Sequence, residues 1–427
     1  MERKVEVTIW GETVGMLSWS SNTRLGIFNY CDAWIDRKID LSPICMPISQ
    51  HRRSYSFPKL GRATFRGLPG MLSDSLPDHF GNQVVRSWQS RVGAKSKVLS
   101  PIDQLCFLGK RGMGALEYEP YMKSSSSQSS QQLEIKELVS LANEVVYNRN
   151  PRQMNLFGST SNGIEHLMKV GASAGGARPK AIVAFQPQTG EVMAEMAENK
   201  PEYEEWLIKF DGIGKNAMQE MGRVEYAYYL MALDAGIRMM PSKLIQENGR
   251  AHFMTKRFDR SLGKKLHTQT LCALGHLDYR KPGEFSYEQA FKVMHHLKLT
   301  SNEIEQQYRR MLFNVMGRNQ DDHTKNISFI MSPAGKWRLS PAYDMTYGYN
   351  PKGHWTRVHR MSINGKRDDF KKTDLIHVGE QFGVQGSNII FEEVEASISN
   401  WTIFGQTAGV SKPHAALIAA THRLNLN

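Results

Sequence analysis

Two acidic residues and one amide between Gly317 and Asp344 have the types and spacing that phosphoryl transfer requires. The segment reads GRNQDDHTKNISFIMSPAGKWRLSPAYD. Asp321 precedes Asn326 by five residues, a spacing that lets a carboxylate accept the proton of an acceptor hydroxyl while an amide oxygen faces a magnesium ion. Asp322 stands only four residues before Asn326, so the spacing favours Asp321 as the base. An adjacent like charge is expected to raise one of the two pKa values.

A predicted hairpin carries a further acid to this loop. Residues 327–331 and 337–339 are short apolar runs separated by Pro333-Ala334-Gly335, a pattern typical of two strands joined by a turn. We therefore expect the chain to double back and bring Asp344 towards Asn326. Because Mg²⁺ prefers one or two protein oxygens with phosphate oxygens and water, these two residues are predicted metal ligands for Mg-ATP. The alternative for the loop alone is that its acids cap turns at the surface.

Small residues upstream offer a way to hold phosphate. Residues 171–180 read GASAGGARPK and lead into an apolar run at 181–185. Glycines let backbone N–H groups approach phosphate oxygens closely. The run matches neither the Walker pattern nor the dinucleotide-binding fingerprint, so by itself it is equally typical of a flexible turn.

Lys209 lies in the short apolar strand predicted at 206–210, WLIKF. A lysine between Ile and Phe is costly to bury unpaired, so it should meet a carboxylate or a phosphate. Glu225, at the start of the helix predicted at 224–235, is the expected partner, in the manner of the lysine–glutamate pair of kinases. A glutamate in the first turn of a helix is also favoured by the helix macrodipole alone.

Several motifs, in their order and spacing, resemble the HipA family of bacterial toxin kinases. They are SAGGARPKA, WLIKF, KRFDR, NQDDHTKNISF and LSPAYD. Upstream of them, VTIWGETVGMLSW, RGLPGMLSDSLPDHFGNQV and LGKRGMGALEYEP resemble the small amino-terminal domain of that family. The resemblance covers nearly the whole chain. It implies serine/threonine phosphorylation with ATP and Mg²⁺ and a helix-turn-helix antitoxin of the HipB type.

The resemblance also implies roles for individual residues. Asp321 is the catalytic base, Asn326 and Asp344 are metal ligands, and Lys209 is the ATP lysine. The remaining nucleotide contacts are expected from the phosphate loop, the hinge and the catalytic-loop histidine: Ala174, Gly175, Gly176, Ala177, Arg178, Pro179, Lys180, Lys256, Arg257, Phe258 and His323. Ser173 stands where family members can autophosphorylate and silence the kinase. Two positions depart from the family pattern, Asp322 where glycine is familiar and Lys256 where glutamate is familiar.

The implied fold is α+β, a two-lobed protein-kinase-like fold with a small β-rich N-terminal subdomain and a mainly helical C-terminal lobe. We expect residues 1–123 to form that subdomain and the polar run SSSSQSSQQ at 124–132 to be a linker or loop. Residues 133–255 are expected to form the smaller kinase lobe and 256–427 the larger, helical one. Helical periodicity is seen at 133–148, 287–297, 304–316 and 415–424.

Composition restricts the setting and the partners. The 427 residues include four cysteines without a CxxC pair, which indicates neither a disulfide framework nor a zinc cage. No apolar run is long enough for a membrane span, so a soluble, cytoplasmic protein is expected. The net charge of +12 suits an acidic partner, but the basic residues are dispersed and no base-reading motif is evident. We therefore expect DNA contact mainly through the antitoxin, while an aminoacyl-tRNA synthetase is the expected protein substrate, with translation arrest and dormancy as the outcome.

Two other functions fit part of the pattern. A catalytically silent, kinase-like co-repressor would fold in the same way, but it would usually have lost at least one of Lys209, Asp321, Asn326 and Asp344. A metal-dependent hydrolase could use the Asp321-Asp322-His323 cluster to activate water. That reading leaves Lys209 and the glycine-rich loop without a role.

Overall fold

The computed structural model describes residues 3–49, 51, 53–78, 80–85, 99–120, 135–147, 178–193, 201–213, 220–261 and 263–426. The predicted linker at 124–132 and the glycine-rich loop through Ala177 lie outside these residues. Within the described ranges, no helix is both long enough and apolar enough to cross a membrane.

An antiparallel five-stranded sheet forms most of the N-terminal region, in the order β4-β3-β2-β1-β5. Its first strand alternates buried and more accessible residues, as a half-buried strand should. Trp10 and Gly11 both have positive φ, which suits the tight turn between the first two strands. The strands are β1 Arg3–Ile9, β2 Glu12–Ser20, β3 Leu25–Tyr30, β4 Ser54–Tyr55 and β5 Leu116–Glu119, and the helices are α1 Asp32–Asp36, α2 Arg62–Phe65, α3 Gly70–Ser73 and α4 Pro101–Leu108.

A second antiparallel sheet of five strands, in the order β7-β6-β8-β10-β9, holds the predicted ATP lysine. The strand β6 is buried along its whole length. Lys180 at its start pairs in register with Lys209 at the end of β8. The strands are β6 Lys180–Phe185, β7 Val192–Met193, β8 Glu204–Lys209, β9 Ser242–Glu247 and β10 Arg250–Lys256, and the accompanying helices are α5 Ile135–Tyr147 and α6 Met221–Asp234.

The rest of the chain is mainly helical, with a three-stranded sheet beside the predicted catalytic loop. That sheet has the order β13-β14-β15, and the loop runs from the end of α9 into β14. Thr300 and Glu303 form a capping box at the start of α9. The strands are β11 Arg260–Ser261, β12 Lys264–Lys265, β13 His267–Thr270, β14 Ser328–Met331 and β15 Trp337–Leu339, and the helices are α7 Leu271–Leu274, α8 Tyr287–His296, α9 Ser301–Met316, α10 Lys372–Gln381, α11 Ser387–Ser399, α12 Trp401–Thr407 and α13 Lys412–Ala419.

One hydrophobic core joins the N-terminal sheet to the C-terminal helices. It includes Val7 and Leu17 together with Phe329 and Val394. A second core packs residues 80, 84 and 85 against the sheet that carries Lys209. The N-terminal region is therefore packed into the body of the protein.

Several predicted boundaries differ from the structure, and the helix predicted at 304–316 already begins at Ser301. The last helix was expected at 415–424, but it begins at Lys412, where Pro413 occupies the first turn, and it ends at Ala419. The helix predicted at 224–235 begins at Met221, so Glu225 lies in its second turn. The macrodipole effect, which acts within the first turn, therefore does not account for Glu225.

Candidate active site

The predicted catalytic loop is fixed by its own hydrogen bonds. The backbone carbonyl of Asp321 accepts from the side-chain amide of Asn326 at 3.0 Å and from the His323 N–H at 2.9 Å. The Asn326 N–H donates to the carbonyl of His323 at 2.8 Å. Because the Asn326 nitrogen is used in this way, its amide oxygen is the atom left to face a metal ion.

The two adjacent acids have different surroundings. The Asp322 side chain is 1% exposed and accepts hydrogen bonds from the Tyr287 hydroxyl at 2.9 Å and the Arg360 N–H at 2.8 Å, with His359 Nδ1 at 2.8 Å. The Asp321 side chain is 51% exposed. The hydrogen bonds of Asp322 therefore hold the loop against Tyr287 and the 359–360 segment. Asp321 is the more accessible of the two acids to an acceptor hydroxyl.

Two opposing effects set the pKa of Asp321. Partial desolvation by the surrounding protein raises the pKa, while His323 and Arg360 lower it. The net pKa is raised above the ordinary value. The Arg360 guanidinium lies 3.3 Å from the carboxylate and also donates to the carbonyl of Tyr279 at 2.5 Å.

An ion-pair cluster around the buried Lys209 and Glu225 joins the second sheet, α6 and the segment after the hairpin. The Lys209 ammonium donates to Glu225 at 2.5 Å and also contacts Asp344, which lies 135 residues away along the chain. Arg178 donates to the other Glu225 oxygen at 2.8 Å. The cluster thus connects the end of the phosphate loop to the predicted metal ligand.

Mutual attraction keeps Lys209 and Asp344 charged. Burial by itself would lower the pKa of Lys209, but Asp344 and Glu225 outweigh burial and raise that pKa. Burial would likewise raise the pKa of Asp344, but Lys209 and Lys180 hold it at about 2. Asp344 is therefore an ionised carboxylate at neutral pH, as a magnesium ligand must be.

The predicted metal ligands reach one place in the molecule. Asn326, Asp344 and His323 line the same pocket, together with Asn319, whose amide donates to the backbone carbonyl of Asp344 at 3.1 Å. Asp344 has a φ of +53°, a left-handed conformation uncommon outside glycine. Carboxylate and amide oxygens are hard donors, so this pair fits Mg²⁺. Burial lowers the pKa of His323, which favours a neutral ring.

The structure describes the predicted phosphate loop only from Arg178 onwards. Ser173, Ala174, Gly175, Gly176 and Ala177 lie outside the described residues, and their predicted roles stay predictions. Of the other loop residues, Arg178 pairs with Glu225, Pro179 accepts from the Phe210 N–H at 2.9 Å, and Lys180 is 2% exposed.

The predicted hinge residues are held by protein contacts. Lys256 pairs with Glu204 at 2.7 Å, and the buried Arg257 pairs with Glu205 and Asp259. The backbone N–H groups of Lys256 and Arg257 are both used within the protein. Both side chains are engaged in ion pairs, and the nucleotide contacts expected of Lys256, Arg257 and Phe258 stay predictions. Phe258 stacks on Tyr343, with ring centroids 5.5 Å apart. Tyr343 immediately precedes Asp344 in the chain.

Sequence reasoning missed three residues at this site. Arg360 lies 39 residues after Asp321, and no spacing rule connects the two. Asp74 and Asp78 belong to the N-terminal region, and each forms an ion pair with a lysine of the site. Asp74 pairs with Lys325, and Asp78 pairs with Lys180. Both acids lie within the stretch RGLPGMLSDSLPDHFGNQV, but no spacing in that stretch connects them to lysines more than 100 residues away.

Comparison with known proteins agrees with these observations. Residues 172–401 match the HipA-like C-terminal domain family, and residues 5–119 match the HipA N-terminal domain family. The structure resembles HipA of Shewanella oneidensis MR-1, solved in a complex with HipB and operator DNA, with a TM-score of 0.66 and 15% identity over 97% of this chain and 94% of that one. The Helicobacter pylori proinflammatory kinase CtkA aligns with a TM-score of only 0.34 and 11% identity, over 51% of this chain and 92% of that one, too low to support an argument. No curated protein matches the chain.

Proposed function

The chain belongs to the HipA family, and from that premise we propose that it is an ATP- and Mg²⁺-dependent serine/threonine-protein kinase of a toxin–antitoxin system. The observation that carries the proposal is the double contact of Lys209 with Glu225 and Asp344. Kinases orient ATP phosphates with a lysine that pairs with a helix glutamate, close to an aspartate that binds Mg²⁺. We further propose that the mixed α and β fold is divided into two lobes, with this cluster between them.

The proposed reaction transfers the γ-phosphoryl group of ATP to a serine or threonine hydroxyl. The Asp321 carboxylate accepts the hydroxyl proton late in the transfer, and Arg360 holds that carboxylate in place. Lys209 orients the α- and β-phosphates. Asn326 and Asp344 would hold Mg²⁺, which offsets charge on the phosphates when bound. Asp322 does not react, because its three hydrogen bonds hold the loop in position.

The partners follow from the family and from charge. We propose a helix-turn-helix antitoxin of the HipB type, with DNA contact mainly through that antitoxin, because the Shewanella protein was solved with HipB and operator DNA. An aminoacyl-tRNA synthetase is the proposed protein substrate, with translation arrest and dormancy as the result. A synthetase loaded with tRNA is an acidic target, which suits a chain with a net charge of +12.

Transfer of label from γ-labelled ATP tests the reaction. The wild-type chain with Mg²⁺ should label protein on serine or threonine, and Asp321→Asn should bind ATP without labelling protein. Asp344→Asn should weaken Mg-ATP binding itself. Label released only to water would favour a hydrolase, and a wild-type chain that binds antitoxin but never transfers label would favour a silent co-repressor. Phosphoproteomics after brief expression of wild type and Asp321→Ala would then identify the substrate.

A further inference from the structure

Two carboxylates from the N-terminal region reach the lysines of the proposed active site. Asp74 immediately follows the short helix α3, and Asp78 lies four residues further along the chain. Asp78 Oδ2 lies 3.5 Å from the ammonium of Lys180, and Asp74 Oδ1 lies 3.9 Å from that of Lys325. Lys180 ends the phosphate loop, and Lys325 stands next to Asn326 in the catalytic loop.

Asp78 offsets the repulsion between the positive charges of Lys180 and Lys209. Lys180 and Lys209 are directly paired across two strands, and like charges in that position repel each other. Lys209 is balanced by Glu225 and Asp344. Lys180 is 2% exposed, so it also needs a close carboxylate to stay charged. Asp78 supplies one, while its other oxygen is held by the Gly81 N–H at 2.6 Å.

Asp74 ties the catalytic loop to strand β13. It accepts from the Thr270 N–H at 2.7 Å and from the Thr270 hydroxyl at 2.9 Å. The Lys325 ammonium also lies over the Tyr279 ring, 5.3 Å from its centroid. Lys325 is therefore held between this ring and the Asp74 carboxylate.

The segment that carries both acids is fixed against the helical region. The Gly70 N–H donates to His276 Nε2 at 3.0 Å. A Cβ at Gly70 would lie 2.2 Å from the carbonyl oxygen of Ala273, so only glycine fits this approach. This close contact at Gly70 fixes the start of the segment that carries both acids.

We propose that Asp74 and Asp78 are positioning residues of the kinase reaction, and that the N-terminal region is in this way a structural part of the active site. The inference rests on the proposed kinase function. Asp78 holds Lys180 for the nucleotide phosphates, and Asp74 holds the catalytic loop through Lys325. Loss of Asp78 should therefore weaken nucleotide binding, while loss of Asp74 should slow transfer with little change in binding.

Binding and transfer measured separately on the full chain test this proposal. Isothermal titration with Mg²⁺ and the non-hydrolysable analogue AMP-PNP gives Kd, and loss of γ-phosphate from saturating labelled ATP, to protein or to water, gives the transfer rate. Asp78→Asn should raise Kd about tenfold, and Asp74→Asn should lower the transfer rate about tenfold at nearly constant Kd. Asp78→Glu keeps the charge and should restore most of the binding. Asp32→Asn, an exposed acid paired with Arg53, is the matched control and should change neither value.

A double-mutant cycle gives the sharpest result. In a Lys180→Met background, Asp78→Asn should have no further effect on Kd, because its partner is already absent. Wild-type-like values for both Asp74→Asn and Asp78→Asn would overturn the proposal alone. A wild-type chain that fails to bind Mg²⁺ with AMP-PNP would instead overturn the kinase function. If Asp78→Asn does not fold, Lys180→Met alone carries the test, and its unchanged Kd would contradict the role of this pair.

Discussion

The Lys209 ammonium donates a hydrogen bond of 2.5 Å to Glu225, so the end of strand β8 is tied to the second turn of helix α6. Both side chains are almost fully buried. Glu225→Gln keeps the shape but removes the charge that balances Lys209. We expect it to raise Kd for Mg²⁺ with AMP-PNP about tenfold or more, because a buried cation loses a partner.

Titration calorimetry measures this effect. Glu305→Gln removes a helix glutamate that pairs with Arg309 away from the site and is the matched control. Equal affinities for Glu225→Gln and this control would show that the Lys209–Glu225 pair does not position the nucleotide.

The adjacent acids Asp321 and Asp322 should give opposite results when changed to asparagine. Asp321→Asn should leave the free energy of unfolding nearly unchanged, because the Asp321 side chain is half-exposed. It should abolish transfer, because the carboxylate that accepts the hydroxyl proton is gone. Asp322→Asn should lower the free energy of unfolding by about 2–4 kcal/mol, because it disrupts a buried, charge-assisted network. Denaturant unfolding and label transfer, measured on both variants, separate the two roles. The reverse pattern would identify Asp322 as the base.

Arg360 should lower the pKa of Asp321, the proposed base. Arg360→Gln removes a cation that lowers the pKa of Asp321, so that pKa should rise further. Since the base acts only when deprotonated, the acid limb of the pH–rate profile should move to higher pH, with transfer at neutral pH reduced about tenfold. Arg357→Gln, on the exposed face of the same loop, is the control. An unshifted profile for Arg360→Gln would remove Arg360 from the mechanism.

Burial of His267 should make the fold acid-sensitive. The ring is fully buried, burial lowers its pKa to about 4, and Nδ1 has no hydrogen-bond partner within the described residues. The pKa of His267 in the folded protein is below the ordinary value of 6.5. Its contribution to the free energy of unfolding is therefore fully present above pH 6.5 and is lost as the pH falls towards 4. Protonation of this histidine alone should lower the free energy of unfolding by about 2 kcal/mol at pH 5. Melting temperatures from pH 7.5 to 5 should fall more steeply for wild type than for His267→Gln, and parallel curves would contradict the assignment.

The sequence predicted the parts of the site that depend on local spacing. The interval from Asp321 to Asn326 and the turn at 333–335 are short-range signals, and the strand around Lys209 follows from its apolar neighbours. Asp74, Asp78 and Arg360 could not be found in this way, because their partners are distant along the chain and charged residues in loops follow no period. The different surroundings of Asp321 and Asp322 were also invisible, because Tyr287 and His359 come from remote segments.

A crystal structure with Mg²⁺ and AMP-PNP tests the central claim most directly, namely that one nucleotide site is formed by Lys209, Asn326 and Asp344 beside Asp321. The metal should lie about 2.1 Å from oxygens of Asn326 and Asp344. Lys209 should reach the α- or β-phosphate, and the Asp321 carboxylate should face the γ-phosphate with room for a hydroxyl between them. A nucleotide bound elsewhere, or a metal ion held without Asn326 and Asp344, would contradict the claim.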